Sequence, residues 1–210
     1  MNWFDRITLL LTGLTALYLI WRFYGRYSKE KALHDIYYMM GFAVLFVSGV
    51  LLIFLGWGIL ASPYILTVAT LIPLGISMGL MNQFMPKYKK AYSWFALLGL
   101  LAIAISSIGD MSWKSIAVPV FHGVAGLIIF GLPLYVSFSK ESAPKGFAWV
   151  GIGGLLIGIG GIALAFLTSG RQLLFFSQDV VLMILAPLLL LMTLAFTWGF
   201  VKDIKAEQTS

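Results

Sequence analysis

Between Ile36 and Pro86 the chain carries no Asp, Glu, Lys or Arg. A helix crossing a ~30 Å hydrocarbon core needs about 20 mostly apolar residues. The stretch therefore predicts two membrane crossings, turning at Gly56-Trp57-Gly58 through Ser62-Pro63. Charges bracket five further apolar runs: Ile7 to Trp21, Ala91 to Gly109, Ser115 to Ser139, Gly146 to Gly170 and Val180 to Val201. The expected fold is all-α: a polytopic integral membrane protein of seven transmembrane helices, forming a single transmembrane domain over residues 1–210. Composition agrees, because 10% charged residues, against about 25% in an average soluble domain, cannot cover a water-facing surface.

The first run is short and lies where a signal peptide would lie. A signal peptide begins basic and ends at a small-residue cleavage site, whereas here Asp5 and Arg6 nearly cancel and the cluster Arg22, Arg26, Lys29, Lys31 follows the apolar run. A retained helix is expected, lengthened by Arg22 snorkelling toward the headgroups.

Orientation follows from the segments between runs. Eleven basic residues fall on one side, namely Arg22, Arg26, Lys29 and Lys31, then Lys87, Lys89 and Lys90, then Lys140 and Lys145, then Lys202 and Lys205; the other side holds three, Arg6, Lys114 and Arg171. The positive-inside rule then puts the N-terminus outside and the C-terminus, with a short tail at 202–210, in the cytoplasm. Trp3, Trp57 and Trp113 fall at outer ends and Trp21, Trp94, Trp149 and Trp198 at inner ends, as interfacial belts require. The net charge of +6 is thus read as topology rather than nucleic-acid binding. The partners expected are the bilayer itself and other membrane subunits or further copies of the chain, in a prokaryotic plasma membrane. With no cysteine there is no disulfide, thiolate metal site or thiol nucleophile.

An internal repeat is visible. Ser28-Lys29-Glu30-Lys31-Ala32 recurs as Ser139-Lys140-Glu141-Ser142-Ala143, an offset of 111 that also pairs Tyr24 with Tyr135, Tyr38 with Trp149, Leu45 with Leu156 and Gly49 with Gly160. An offset of 114 pairs Pro73 with Pro187 and Met78 with Met192. The expected plan is three plus one plus three: half one at 1–90, a linker helix at 91–110, and half two at 111–205. Equivalent helices run in the same direction, so the halves are parallel and related about the membrane normal, with any substrate cavity between them.

Ionisable groups inside spans mark function by default, and here they are scarce. The apolar cores hold no carboxylate for a proton or sodium relay, and the seventh helix has no lysine for a retinal Schiff base. His122 is the only imidazole inside a span. It lies about seven residues into the fifth crossing, on the order of 10 Å deep, and suits a ligand or solute contact, a pH-sensitive latch, or a bond to a neighbouring helix. His34 sits roughly 20 Å away in depth, which argues against a bis-histidine haem. Beyond these two exclusions the sequence does not identify a cofactor, His122 suiting a single haem ligation or a quinone contact as well, and no metal site or catalytic residue set is visible.

Gln178 and Asp179 open the last helix on the outer side, either favouring the helix dipole or forming a vestibule above His122. At the inner side Asn82 and Gln83, with His34 and Asp35, form either a gate or solvated helix ends. Gly151, Gly154, Gly158 and Gly161 make a small-residue stripe that permits close helix packing or a smooth wall against a flat ligand. Pro73, Pro119, Pro133 and Pro187 each remove a backbone hydrogen bond within a crossing. The matched pair, Pro73 and Pro187, suits halves that rock against each other.

This N-outside plan resembles that of the SWEET and PQ-loop transporters and, in outline, the microbial rhodopsins. The resemblance is one of architecture: the Pro-Gln dipeptide and the rhodopsin lysine are absent, and the prolines fall in other helices, so no residue role carries over. The function expected is that of a facilitator or binding protein for a small neutral or apolar molecule, not an enzyme. The alternatives are a non-catalytic, cofactor- or quinone-contacting subunit of a membrane complex and a seven-helix sensor.

Overall fold

The structure, a computed structural model, describes residues 1–139, 143–168 and 177–207, with backbone alone at 162–168, 178 and 207. It is all-helical, with no strand among the described residues. The helices are α1 (Trp3–Glu30), α2 (Leu33–Leu55), α3 (Pro63–Ala69), α4 (Leu71–Phe84), α5 (Lys89–Ile108), α6 (Lys114–Phe138), α7 (Ala148–Thr168) and α8 (Gln178–Glu207). Six segments are long and apolar enough to cross a membrane: Trp3–Glu30, Leu33–Leu55, Pro63–Phe84, Pro86–Ile108, Lys114–Phe138 and Asp179–Ala206. They make the chain an integral membrane protein. The apolar stretch that leads through α7 over described side chains, Lys145–Gly161, is shorter.

Two helices outrun their uncharged cores. α1 starts at a capping box, in which the Asp5 amide donates to Asn2 Oδ1 (2.8 Å) and the Asn2 amide to Asp5 Oδ2 (3.1 Å). This satisfies two N–H groups that a helix start otherwise leaves open. The helix continues past Arg22, which donates to the Tyr18 hydroxyl (3.3 Å), and closes at Lys31 in the left-handed conformation. α8 runs through most of the segment expected as a tail, to Glu207.

Pro73 shapes the third crossing as its chemistry dictates. A proline ring displaces the carbonyl four residues earlier, and the break between α3 and α4 falls at Thr70, immediately after Ala69. The hydroxyls of Thr70 and Ser77 bond back to the carbonyls of Leu66 (2.9 Å) and Pro73 (2.6 Å). Pro119, Pro133 and Pro187 lie inside continuous helices.

The helices form a ring in the order α1, α2, α4, α6, α7, α8 and back to α1, while α5 stands outside against α3, α4 and α6. Glycines set the close approaches. Gly75 of α4 lies against the α2 backbone at Tyr37 and Gly41, and Gly79 receives the Tyr38 ring. In α7, Gly151 and Gly154 face α6 at Phe130 and Ile129, and Gly153 and Gly160 face α8. Of the expected glycine stripe, Gly158 and Gly161 meet open space among the described residues. Among the described residues the stripe thus packs at its N-terminal half.

The main core fills the ring toward one end with Leu19, Phe23, Phe42, Phe147, Phe196 and Phe200. A smaller cluster of Leu9, Leu52 and Ala186 fills the other end. The repeat partners compare unevenly. Tyr24 and Tyr135 are both exposed, but Tyr38 is 0% exposed in the core while Trp149 is 45% exposed. The matched segment 140–142 lies outside the described residues.

Candidate functional site

The apolar stripe of α1 passes through Thr12, Ala16, Leu19 and Phe23 and arrives, in the same helical phase, at Arg26. In α2 the stripe Leu52, Gly49, Leu45, Phe42, Tyr38 ends on Asp35. In α8, Met192, Phe196 and Phe200 lead to Asp203. Residues three and four apart share a helix face, so each charge is carried into the ring interior with its stripe. Arg26 and Asp35 are each 0% exposed and Asp203 2%.

The three charges meet. Arg26 donates to Asp35 Oδ1 through Nε (2.9 Å) and Nη2 (2.7 Å), and to Asp203 Oδ2 through Nη1 (3.0 Å). Gln83 of α4 donates from Nε2 to the same Asp203 oxygen (2.9 Å) and accepts from the Tyr38 hydroxyl (2.8 Å). His34 Nε2 stands 3.8 Å from Asp35 Oδ1. The network joins α1, α2, α4 and α8. Buried charges are tolerated when paired and hydrogen-bonded, and this cluster supplies both.

Beneath the ion layer lies an aromatic layer. Phe200 packs edge-on against Phe23 (centroids 5.1 Å), Phe42 (5.9 Å) and Phe147 (5.7 Å), and lies 4.7 Å from the Tyr38 ring. The Arg26 guanidinium carbon is 5.7 Å from the centre of the Phe23 ring. Charge and rings together fill the interior of this end of the ring. We call it the basic end, since Lys29, Lys31, Lys87, Lys89, Lys90 and Lys202 surround it.

At the opposite end an open groove of about 460 Å³ is lined by Asn2, Asp5, Trp57, Asp179, Leu182 and Met183. Asp179 thus lies with Asp5 at a vestibule-like opening, but His122 is not among its lining residues. Gln178 falls on a side chain outside the described residues. His122 lies on the α6 stripe that continues through Ala125, Ile129, Leu132 and Val136 into the core. Its Nδ1 is buried without a hydrogen-bond partner among the described residues. Pro187 adjoins Ala186 of the small cluster beside α1 and α2. Asn82 faces away from the ion network and lines a separate groove with Tyr37 and Lys89. Among the described residues no group of His and carboxylate side chains is arranged to hold a metal ion.

Of the residues considered as a gate, Asp35 and Gln83 belong to the network, His34 borders it, and Asn82 does not. Hydropathy does not single out Arg26 and Asp203, because a charge beside an apolar run marks only the edge of a crossing. The helical phase that ties them to Phe23 and Phe200 was available in the sequence. No protein-family model, curated protein or solved structure matches the chain.

Proposed function

We propose that the protein is a seven-crossing facilitator for a small neutral or apolar molecule, captured with its basic end closed. The single observation carrying this reading is the buried Arg26–Asp35–Asp203–Gln83 network. A charge cluster in a membrane interior is costly and typically marks a pathway or switch, and as a mere stabiliser it does no better than apolar packing. On the proposed division into halves, Arg26, Asp35 and Gln83 belong to the first and Asp203 to the second. The network would then be a latch across their seam, with the aromatic layer as its seal and the groove at Asp5 and Asp179 as the opposite mouth. The ring order supports two parallel trios: exchanging α1, α2, α4 with α6, α7, α8 returns the same set of neighbours. In this reading α7 also crosses, as the sixth of seven crossings, with α5 the linker, the basic end cytoplasmic and the N-terminus outside. His122, Pro73 and Pro187 flank the route between the mouths.

The test is stopped-flow swelling of phosphatidylcholine vesicles containing the protein, against glycerol, urea and small polyols. At least one solute should enter faster than into protein-free vesicles, and His122→Ala should change that rate while leaving the thermal midpoint in place. Entry at the protein-free rate for every solute would remove the proposal.

A second reading, a non-catalytic subunit or homo-oligomer, is favoured by Gly158 and Gly161 on α7, whose Cβ positions meet nothing within 4 Å among the described residues, so that a further helix could pack closely there. A strictly monomeric particle extracted in mild detergent from native membranes would exclude it.

A further inference from the structure

At the basic end, α2, α4 and α5 enclose a groove of about 210 Å³ lined by Leu33, Tyr37, Asn82, Lys89, Lys90, Ser93 and Trp94. It is separate from the ion network, and its lining contains no acidic residue. Lys89 and Lys90 are exposed, and neither pairs with a carboxylate among the described residues. The Asn82 side chain is half-buried and forms no hydrogen bond among them.

What lies above the groove identifies the ligand. One helical strip of α5 runs from Trp94 through Leu97, Leu98 and Leu101 to Ile105, all exposed. Trp94 lies one and a half turns from Lys89, about 7 Å along the axis, where an amphipathic ring suits the boundary between headgroup and acyl chain. A soluble anion would have no use for that strip, whereas a lipid uses both parts.

We propose that this groove binds the phosphate of an anionic glycerophospholipid, with Lys89, Lys90 and Asn82 holding the headgroup, Tyr37 and Trp94 bracketing the glycerol region, and the acyl chains lying along Leu97, Leu98 and Leu101. Basic pockets between helices on the cytoplasmic side are suited to such headgroups. The proposal rests on reading the basic end as a membrane interface, and it is independent of any transport.

Native mass spectrometry of the delipidated protein, titrated in micelles with dioleoylphosphatidylglycerol or dioleoylphosphatidylcholine, tests it. A lysine near an anionic surface contributes roughly fivefold in affinity, so phosphatidylglycerol should bind at least about tenfold more tightly than phosphatidylcholine. The double variant Lys89→Gln/Lys90→Gln should lose that preference, while Lys29→Gln/Lys31→Gln, a basic pair on the same end, should keep it. Equal preference in wild type and Lys89→Gln/Lys90→Gln would overturn the site. So would an equal loss in the control pair, which would mean general surface charge, or displacement of the lipid by millimolar inorganic phosphate, which would mean a soluble anion. The assay involves no solute flux, so its failure leaves the facilitator reading standing, and a failed swelling assay leaves the lipid site standing.

Discussion

Arg26→Met is expected to lower stability by about 3–5 kcal/mol, because removing one partner of a buried ion cluster leaves the others charged in a medium that does not solvate them. Asp35 and Asp203 would both lose the guanidinium that now lies 2.7 and 3.0 Å away. The triple variant Arg26→Met/Asp35→Leu/Asp203→Leu provides the informative contrast. With all three charges gone no carboxylate is stranded, and apolar replacements of this kind are often neutral or stabilising. Thermal or denaturant unfolding in detergent should therefore show the single variant strongly destabilised and the triple variant near wild type. If the cluster is a latch, the stable triple variant should also alter solute entry in the swelling assay. If it serves only the fold, entry will not change.

Gly75→Ala should be the second large effect. A Cβ there would stand 2.8 Å from the Tyr37 carbonyl oxygen and 2.9 Å from the Gly41 nitrogen, both backbone atoms of α2. Backbone cannot rotate aside as a flexible side chain can, so α2 and α4 would have to separate. Overpacking of this sort costs typically 1–3 kcal/mol, and we expect Gly75→Ala at about 3 kcal/mol, at the upper end of that range. Gly158→Ala is the matched control: nothing described lies within 4 Å of its Cβ position. There the alanine should be neutral or stabilising by up to about 1 kcal/mol through helix propensity. Equal effects of the two substitutions on the unfolding midpoint would contradict the packing assigned to α2 and α4.

The all-helical membrane class was legible because lipid imposes one dominant requirement, length without charge, and Ile36–Pro86 meets it twice. The break at Thr70 was also legible in kind, since Pro73 must disturb the backbone four residues upstream. The candidate site was largely illegible because the gaps between charges report length and not helical phase. Arg26, Asp35 and Asp203 lie just beyond those gaps, where a count of charge-free residues marks only the edges of crossings. Their phase, continuing Leu19 and Phe23, Tyr38 and Phe42, or Phe196 and Phe200, places them inside instead. Pairings such as Arg26 with Asp203, 177 residues apart, depend on which helices become neighbours, and hydropathy alone does not carry that information. The glycine stripe divides for a similar reason. Gly151 and Gly154 have α6 beside them, while the same spacing at Gly158 meets open space among the described residues, so small-residue periodicity marks an opportunity for packing rather than a partner.

The account depends most on seven crossings with the basic end in the cytoplasm, and the absence of cysteine from the sequence makes this directly measurable. Single cysteines at Trp3, Ala61, Ser112 and Ser177, and at Glu30, Lys87, Ala143 and Ala206, would be challenged in intact cells with a membrane-impermeant maleimide. The account predicts labelling at the first four, and at the second four only after the membrane is opened. Ala143 and Ser177 reacting alike would mean that α7 does not cross, and outside labelling at Lys87 would place the Arg26 latch on the wrong face.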